Sequence, residues 1–241
     1  MTNTVRRGLL ALATLATVIS FPAQAGSPSS RALGDSLATA APTLERKVLG
    51  KAIAAMECAV NNGLDAAERL AVIDFSLPSS ERRLWIFDLQ QRKLVLQDFV
   101  AHGQNSGDNF ATRFSNDVGS HQTSLGLFRT QETYIGKHGY SLRMDGLEPG
   151  INDRARERAI VVHSADYVDP SWIGRQGRIG RSQGCPAVRP EIGQQVVDHL
   201  KGGQYMFAYY PDQDWLQSSA YLNCSPSRVS AVIAPLREPR S

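Results

Sequence analysis

The amino-acid sequence predicts a mainly β domain with helices at its periphery and a packing helix at its N-terminal side. Three observations support this. Short segments rich in β-branched and aromatic residues recur between residues 69 and 210, long polar loops containing glycine separate them, and only two stretches keep a helical period. Neither βαβ alternation nor an internal repeat is visible, so the strands are expected to pair mostly antiparallel.

In chain order, residues 1–25 come first. Arg6 and Arg7 precede the uncharged apolar run "GLLALATLATVIS", and the small residues "AQA" follow, which reads as a secretory signal cleaved after Ala25. Residues 26–42, "GSPSSRALGDSLATAAP", are small and turn-forming without a sustained period and read as a flexible leader. An N-terminal helix is expected within residues 43–66. There Leu44, Val48, Ala52, Ala55, Met56 and Val60 share one side, with Pro42 before and Gly63 after. Cys58 lies roughly 140° from the centre of that stripe, beside Lys47 and Lys51, so it is not simply core filler.

The main domain is expected over residues 67–216. Its strand candidates begin with "RLAVIDFS" and "RLWIFDLQQRKLVLQDFV", the second broken by "QQRK" in a way that suits a hairpin. "SLGLFRT", "YSLRM", "ERAIVVH" and "QYMFAYY" follow. A second helix, "EIGQQVVDHLKGG", carries Ile192, Val196, Val197 and Leu200 on one face and stops at Gly202. Residues 217–241 read as a C-terminal tail.

Charge and hydropathy narrow the function classes. The chain has 26 basic and 23 acidic residues, and loss of residues 1–25 would remove two arginines and no acid, leaving 24 against 23. Such balance argues against nucleic acid or an anionic membrane surface as partner. Beyond the signal no run approaches the ~20 apolar residues of a membrane span. The expectation is an exported protein of the periplasm or extracytoplasmic cell envelope. HExxH and CxxC patterns, phosphate-binding glycine loops and a GxSxG elbow are all missing, so neither metal nor organic cofactor is expected.

The chemistry concentrates in "GRSQGCPAV", residues 180–188. His163 closes the apolar strand candidate "AIVV", and Ser182, Gln183, Gly184 and Cys185 follow after 18 intervening residues. Glycine before cysteine permits a tight turn whose N–H groups can face an oxyanion. A thiol of pKa ~8.5 needs an imidazole nearby to act as a nucleophile at neutral pH. Spacing alone leaves two readings open: a Cys–His dyad, or a structural cysteine with a satisfied loop histidine.

"IVVHSADYV" and "GRIGRSQGCPAV" resemble the catalytic region of the YkuD-type murein L,D-transpeptidases, and more closely the branch described as the murein L,D-transpeptidase catalytic domain family. "IDFSLPSSERRLWIFDL", "VAHGQNSGDN", "FSNDVGSHQTSLGLF", "YIGKHGYSLRMDGLE" and "NDRARERAIVVH" extend the likeness over residues 70–212. The resemblance implies a YkuD-like mixed β-sandwich and a cysteine enzyme acting on peptidoglycan stem peptides without a cofactor. It implies Cys185 as nucleophile, His163 as base, the Ser164 carbonyl as the group that orients the base, and Gly184 and Cys185 as oxyanion donors. Ser182 fills the family's Ser/Thr position, and "TSLGLF", from Thr123, stands where many members have a TPxGxF strand. Two departures concern substrate contacts. Gln183 replaces the usual histidine before Gly-Cys, and Ala187 replaces an arginine, for which Arg189 is a possible substitute.

Other residues carry functional and structural readings side by side. His138 is a candidate for the donor groove and His102 another, while both also read as loop residues bonded to backbone. His121 and His199 read as structural. Arg175, Arg178 and Arg181 suit stem-peptide carboxylates or a solvated loop face equally. Trp85, Trp172 and Trp215 read as core or interface aromatics. Three cysteines in an oxidising compartment leave one unpaired. If Cys185 is free, the remaining pair is Cys58 with Cys224. Two other functions compete: an NlpC/P60-type or papain-like stem-peptide peptidase, in which cysteine usually precedes histidine, and a catalytically inactive wall-binding protein.

Overall fold

The computed structural model describes Met1 and residues 28–224. Residues 2–27, with most of the segment read as a secretory signal, and the tail beyond Cys224 lie outside the described residues. Strands form where the sequence is richest in β-branched and aromatic side chains: β1 (Arg69–Asp74), β2 (Leu84–Asp88), β3 (Lys93–Asp98), β4 (Gly126–Gly136), β5 (Gly139–Gly146), β6 (Val161–Ser164), β7 (Ala187–Val188) and β8 (Tyr205–Tyr209). They make one mixed sheet in the order β3-β2-β1-β8-β4-β5-β6-β7. The "QQRK" break turns β2 into β3, with Arg92 at φ 52° and the Gln91 N–H on the Asp88 carboxylate at 2.7 Å.

Five pairings are antiparallel, and two are parallel, β1 with β8 and β6 with β7. Parallel neighbours lie far apart in sequence, which is why local patterns point to antiparallel pairing alone. β1 and β8 sit at the middle of the sheet and are buried almost throughout, Val72 opposite Phe207, so both read as unbroken apolar runs. A bridge between Ala101, just after β3, and Ala187 of β7 joins the two ends of the strand order. The sheet thus curls nearly into a barrel, and its layers are the facing parts of one sheet.

Helix α1 (Pro28–Ala40) occupies the stretch expected to be a flexible leader. Leu37 and Ala38 near its end and Ala41 just beyond are buried, and the helix packs on α2 (Arg46–Asn61) and β3. Its stabilisation comes from this packing, which residue propensities do not reveal. On α2 the expected stripe is buried at Val48, Ala52, Ala55 and Met56, and Cys58 is buried and disulfide-bonded to Cys224 with a Cα–Cα distance of 5.5 Å. Residues 217–224 are therefore part of the folded body, with Tyr221 fully buried. Trp85 and Trp215 are core residues.

After β6 a single turn of 3-10 helix (Pro170–Trp172) leads into α3 (Ile173–Gln176). The second expected helix is α4 (Pro190–Leu200), which buries Ile192, Val196, Val197 and Leu200 against β1, β5 and β6. Gly193 on α4 makes this approach possible, since a β-carbon there would lie 2.5 Å from Cβ of Ser164. The end of β6 is held in place by that contact. A last helix, α5 (Gln213–Ser218), is capped by the Asp212 side chain, which accepts the Trp215 N–H at 2.8 Å.

Candidate active site

Buried Val161 and Val162 fix β6 in the sheet, and His163 follows them with 2% of its surface exposed. His163 Nδ1 lies 2.8 Å from the Ser164 carbonyl oxygen. A carbonyl only accepts, so Nδ1 carries the hydrogen and Nε2 keeps its lone pair. The parallel register sets His163 opposite Ala187, two residues after Cys185. The loop leading into β7 therefore delivers the cysteine beside the histidine strand.

That loop is clamped from several directions. Ser182 Oγ accepts the Gly184 N–H at 3.1 Å and donates to the Cys185 carbonyl at 2.7 Å. The Ser182 N–H donates to the His102 carbonyl at 2.9 Å, and the Gln104 N–H donates to the Ser182 carbonyl at 2.8 Å. Thr123 Oγ1 accepts the Gly103 N–H at 2.9 Å and donates to the Gly184 carbonyl at 3.4 Å. Gly184 has φ 120°, and a β-carbon there would lie 2.8 Å from the Gln122 carbonyl oxygen, so glycine is required twice over.

Cys185 is the free cysteine of the described residues. Its Sγ accepts the Val161 N–H at 3.4 Å, and the thiol donates towards the Ala159 carbonyl at 3.7 Å. Burial pushes the thiol above its usual pKa, against the opposing pull of the Val161 N–H and the Arg158 guanidinium. Burial likewise holds His163 below the ordinary imidazole value. The bond to Ser164 works against that depression and the neighbouring His138 adds to it. At rest the pair is a neutral thiol and a neutral imidazole.

His138, from the turn between β4 and β5, stacks on His163 with ring centroids 4.2 Å apart. Cys185, His163, Ser164, Ser182, Gly184 and His138 are thus gathered in one place, and Gln183 is exposed at the loop's surface. Thr123, which the family likeness offers as a substrate contact, is here buried and clamps the loop through the Gly103 N–H and the Gly184 carbonyl. The Gly184 amide, expected to face an oxyanion, is already engaged by Ser182. The Cys185 N–H has no hydrogen-bond partner among the described residues.

Three arginines offered as substrate contacts are engaged elsewhere. Arg189 grips the buried Asp98 carboxylate through Nε at 2.9 Å and Nη2 at 2.8 Å, so it does not stand in for the arginine that Ala187 replaces. Arg181 donates to the Gly107 carbonyl at 2.8 Å and pairs with Asp108 at 3.4 Å, pinning the 104–108 loop. Arg178 joins the same Asp108 at 2.7 Å. His102 is buried with Nδ1 2.6 Å from Arg83 Nη2, and burial holds its pKa down to about 3, so it stays neutral.

Sequence reasoning missed two groups beside the thiol, Arg158 and Tyr167. Burial and then the field of Cys185 raise the Tyr167 hydroxyl pKa, so it remains a neutral hydroxyl. The alternating arginines of "DRARER" were visible, but nothing in their spacing tells which one turns inward. Among the described residues no three His, Cys, Asp or Glu side chains cluster as metal ligands.

A family model described as the L,D-transpeptidase catalytic domain matches residues 40–209. The chain belongs to that family. No curated protein matches it. Among solved structures it is similar to an L,D-transpeptidase from Mycobacterium smegmatis, with 16% identity over 60% of each chain and a TM-score of 0.37. An L,D-transpeptidase (Yku) from Stackebrandtia nassauensis is 12% identical over 76% of this chain and 78% of its own, with a TM-score of 0.36. The L,D-transpeptidase LdtMt1, solved in complex with imipenem, is 14% identical over 59% of each chain, with a TM-score of 0.35. The chain thus spans about 60% of the length of the first of these.

Proposed function

We propose that this protein is a cysteine-dependent murein L,D-transpeptidase or L,D-carboxypeptidase that acts on tetrapeptide stems of peptidoglycan in the cell envelope, after export directed by residues 1–25. The observation that carries the reading is the 2.8 Å contact of His163 Nδ1 with the Ser164 carbonyl. The Nδ1–H is spent on that carbonyl, which leaves Nε2 as a base on the strand next to the Cys185 loop.

In this mechanism the thiol turns from the Ala159 carbonyl to His163 Nε2 and gives up its proton as Sγ attacks the carbonyl preceding the terminal D-alanine. The Cys185 N–H, unpartnered at rest, meets the developing oxyanion, and the Gly184 N–H joins only if Ser182 releases it. The tetrahedral intermediate collapses, the imidazolium protonates the departing D-alanine amine, and a Cys185 thioester remains. An amine from a second stem then attacks the thioester, its proton passing to His163; the C–S bond breaks, the Cys185 sulfur leaves and takes that proton back from His163, and a 3-3 crosslink forms. Water in place of the amine yields a tripeptide. Because burial favours the neutral thiol and the neutral imidazole at rest, charge separation comes with the attack on substrate.

Mass spectrometry of a purified disaccharide-tetrapeptide, after incubation with wild type and with Cys185→Ala, tests the reading. A dimer lacking one D-alanine identifies transpeptidation, and a tripeptide identifies carboxypeptidase action. No conversion by the wild type, or equal conversion by Cys185→Ala, contradicts it.

A further inference from the structure

Three arginines alternate just before β6, and two of them end on carboxylates. Arg154 pairs with Glu157 at 2.9 Å, and Arg156 pairs with Asp145 at 2.5 Å and Glu132 at 2.8 Å. Arg158 does neither. Its Nη1 donates to the Ser115 carbonyl at 2.7 Å and Ser124 Oγ at 2.5 Å, and its Nη2 to the Gln122 carbonyl at 2.5 Å and Ser120 Oγ at 3.2 Å. All four acceptors are uncharged, so the guanidinium is held firmly while its charge is left without a bonded counter-ion.

Its location relates that charge to the nucleophile. A β-carbon on Gly184 would lie 3.4 Å from Arg158 Nη2 and 2.8 Å from the Gln122 oxygen that Nη2 binds. The guanidinium therefore lies directly behind the residue preceding Cys185. On the other side the Cys185 thiol rests on Ala159 and Val161, the backbone that continues from Arg158. The arginines of the nucleophile loop and its strand are already paired, Arg178 and Arg181 with Asp108 and Arg189 with Asp98.

We propose that Arg158 is a positioning residue of electrostatic kind, whose uncompensated charge favours the Cys185 thiolate while its four bonds hold the 115–124 loop against Gly184. The inference rests on the reading that the Cys185 thiolate is the reacting group. When the Cys185 proton moves to His163, the new negative charge forms beside a cation that is already fixed, so no reorganisation is needed. Partial burial screens the interaction less than a surface pair is screened. The surroundings agree in sign: Cys185 and Asp117 favour the charged form of Arg158, while burial and Arg154 oppose it. Asp117 itself pairs with Arg154 at 3.9 Å. The other titratable groups around the thiol are Tyr167, from the loop after β6, and His163 with His138 stacked upon it.

The test is the pH dependence of Cys185 alkylation by iodoacetamide, followed by intact mass in wild type, Arg158→Met, Arg158→Lys and Ser124→Ala. Arg158→Met is expected to move the midpoint to higher pH and to slow alkylation at neutral pH by about threefold, since a smaller thiolate fraction is partly offset by greater nucleophilicity. Arg158→Lys keeps the charge and loses the fork, so its midpoint stays near wild type while its melting temperature falls. Ser124→Ala removes an anchor and keeps the charge, and its midpoint is also unchanged. A midpoint unmoved in folded Arg158→Met overturns the proposal. So does a Ser124→Ala midpoint that moves as Arg158→Met does, which would mark a role in loop anchoring alone. Should Arg158→Met fail to fold, a Lys midpoint raised above wild type overturns it as well. Alkylation requires no turnover, so inactivity on muropeptides would count against the proposed function and leave this inference standing.

Discussion

The imidazole of His138 lies over that of His163, with ring centroids 4.2 Å apart and planes inclined by 24°. One ring comes from the tip of the β4–β5 hairpin and the other from β6, so the hairpin places a second imidazole on the face of His163. The stack limits rotation of His163 about the bond to Ser164 and keeps Nε2 in the plane that bond defines.

His138→Ala removes a like charge and part of the burial that together hold His163 below its ordinary value. Both changes raise the His163 pKa, so the protonated, inactive form persists to higher pH. The acid limb of the kcat/KM profile is expected to move to higher pH, and an NMR titration of His163 Cε1–H would move with it. An unchanged acid limb would show that the stack does not govern the base.

Ser182→Ala leaves the Gly184 N–H and the Cys185 carbonyl without their shared partner. The expected cost is about 1–3 kcal/mol in urea denaturation. Looser placement of the nucleophile should lower kcat/KM by roughly tenfold to a hundredfold.

Arg189→Ala separates a structural role from a role in substrate recognition. It strips the buried Asp98 carboxylate of its partner and should destabilise the fold by about 1–3 kcal/mol. KM for a muropeptide should be unchanged. A raised KM in a protein of wild-type stability would return Arg189 to the substrate site.

The Cys58–Cys224 bond closes a sequence separation of 166 residues and ties α2 to the segment that follows α5. Its removal by Cys58→Ser should cost about 2–5 kcal/mol, read as a lower melting temperature. The rate of Cys185 alkylation should not change, because the bond shares no contact with the nucleophile loop.

Much of this architecture could be read from local patterns. β1, β2 and β3 announce themselves through apolar density and one polar break, and α4 through a single buried face. The parallel contact of β1 with β8 could not, because Leu70 and Tyr205 meet only after the chain between them has folded. α1 was hidden for a related reason: its small residues become a packing surface only once α2 is present. At the site, strand-end and glycine chemistry together with a family likeness singled out His163 and Cys185, and the structure sets the strand of the one beside the loop of the other. Contacts that depend on distant partners were not, and these assign Arg189 to Asp98, turn the Gly184 amide towards Ser182 and set Arg158 behind Gly184.

The central claim is an acyl group carried on Cys185. Its most direct test is intact-protein mass spectrometry of enzyme mixed with disaccharide-tetrapeptide and quenched rapidly in acid. The account predicts that wild type gains the mass of the stem shortened by its terminal D-alanine, as a thioester lost on treatment with hydroxylamine, and that Cys185→Ala gains nothing. Product formed without any such adduct, or an adduct that persists in Cys185→Ala, would contradict it.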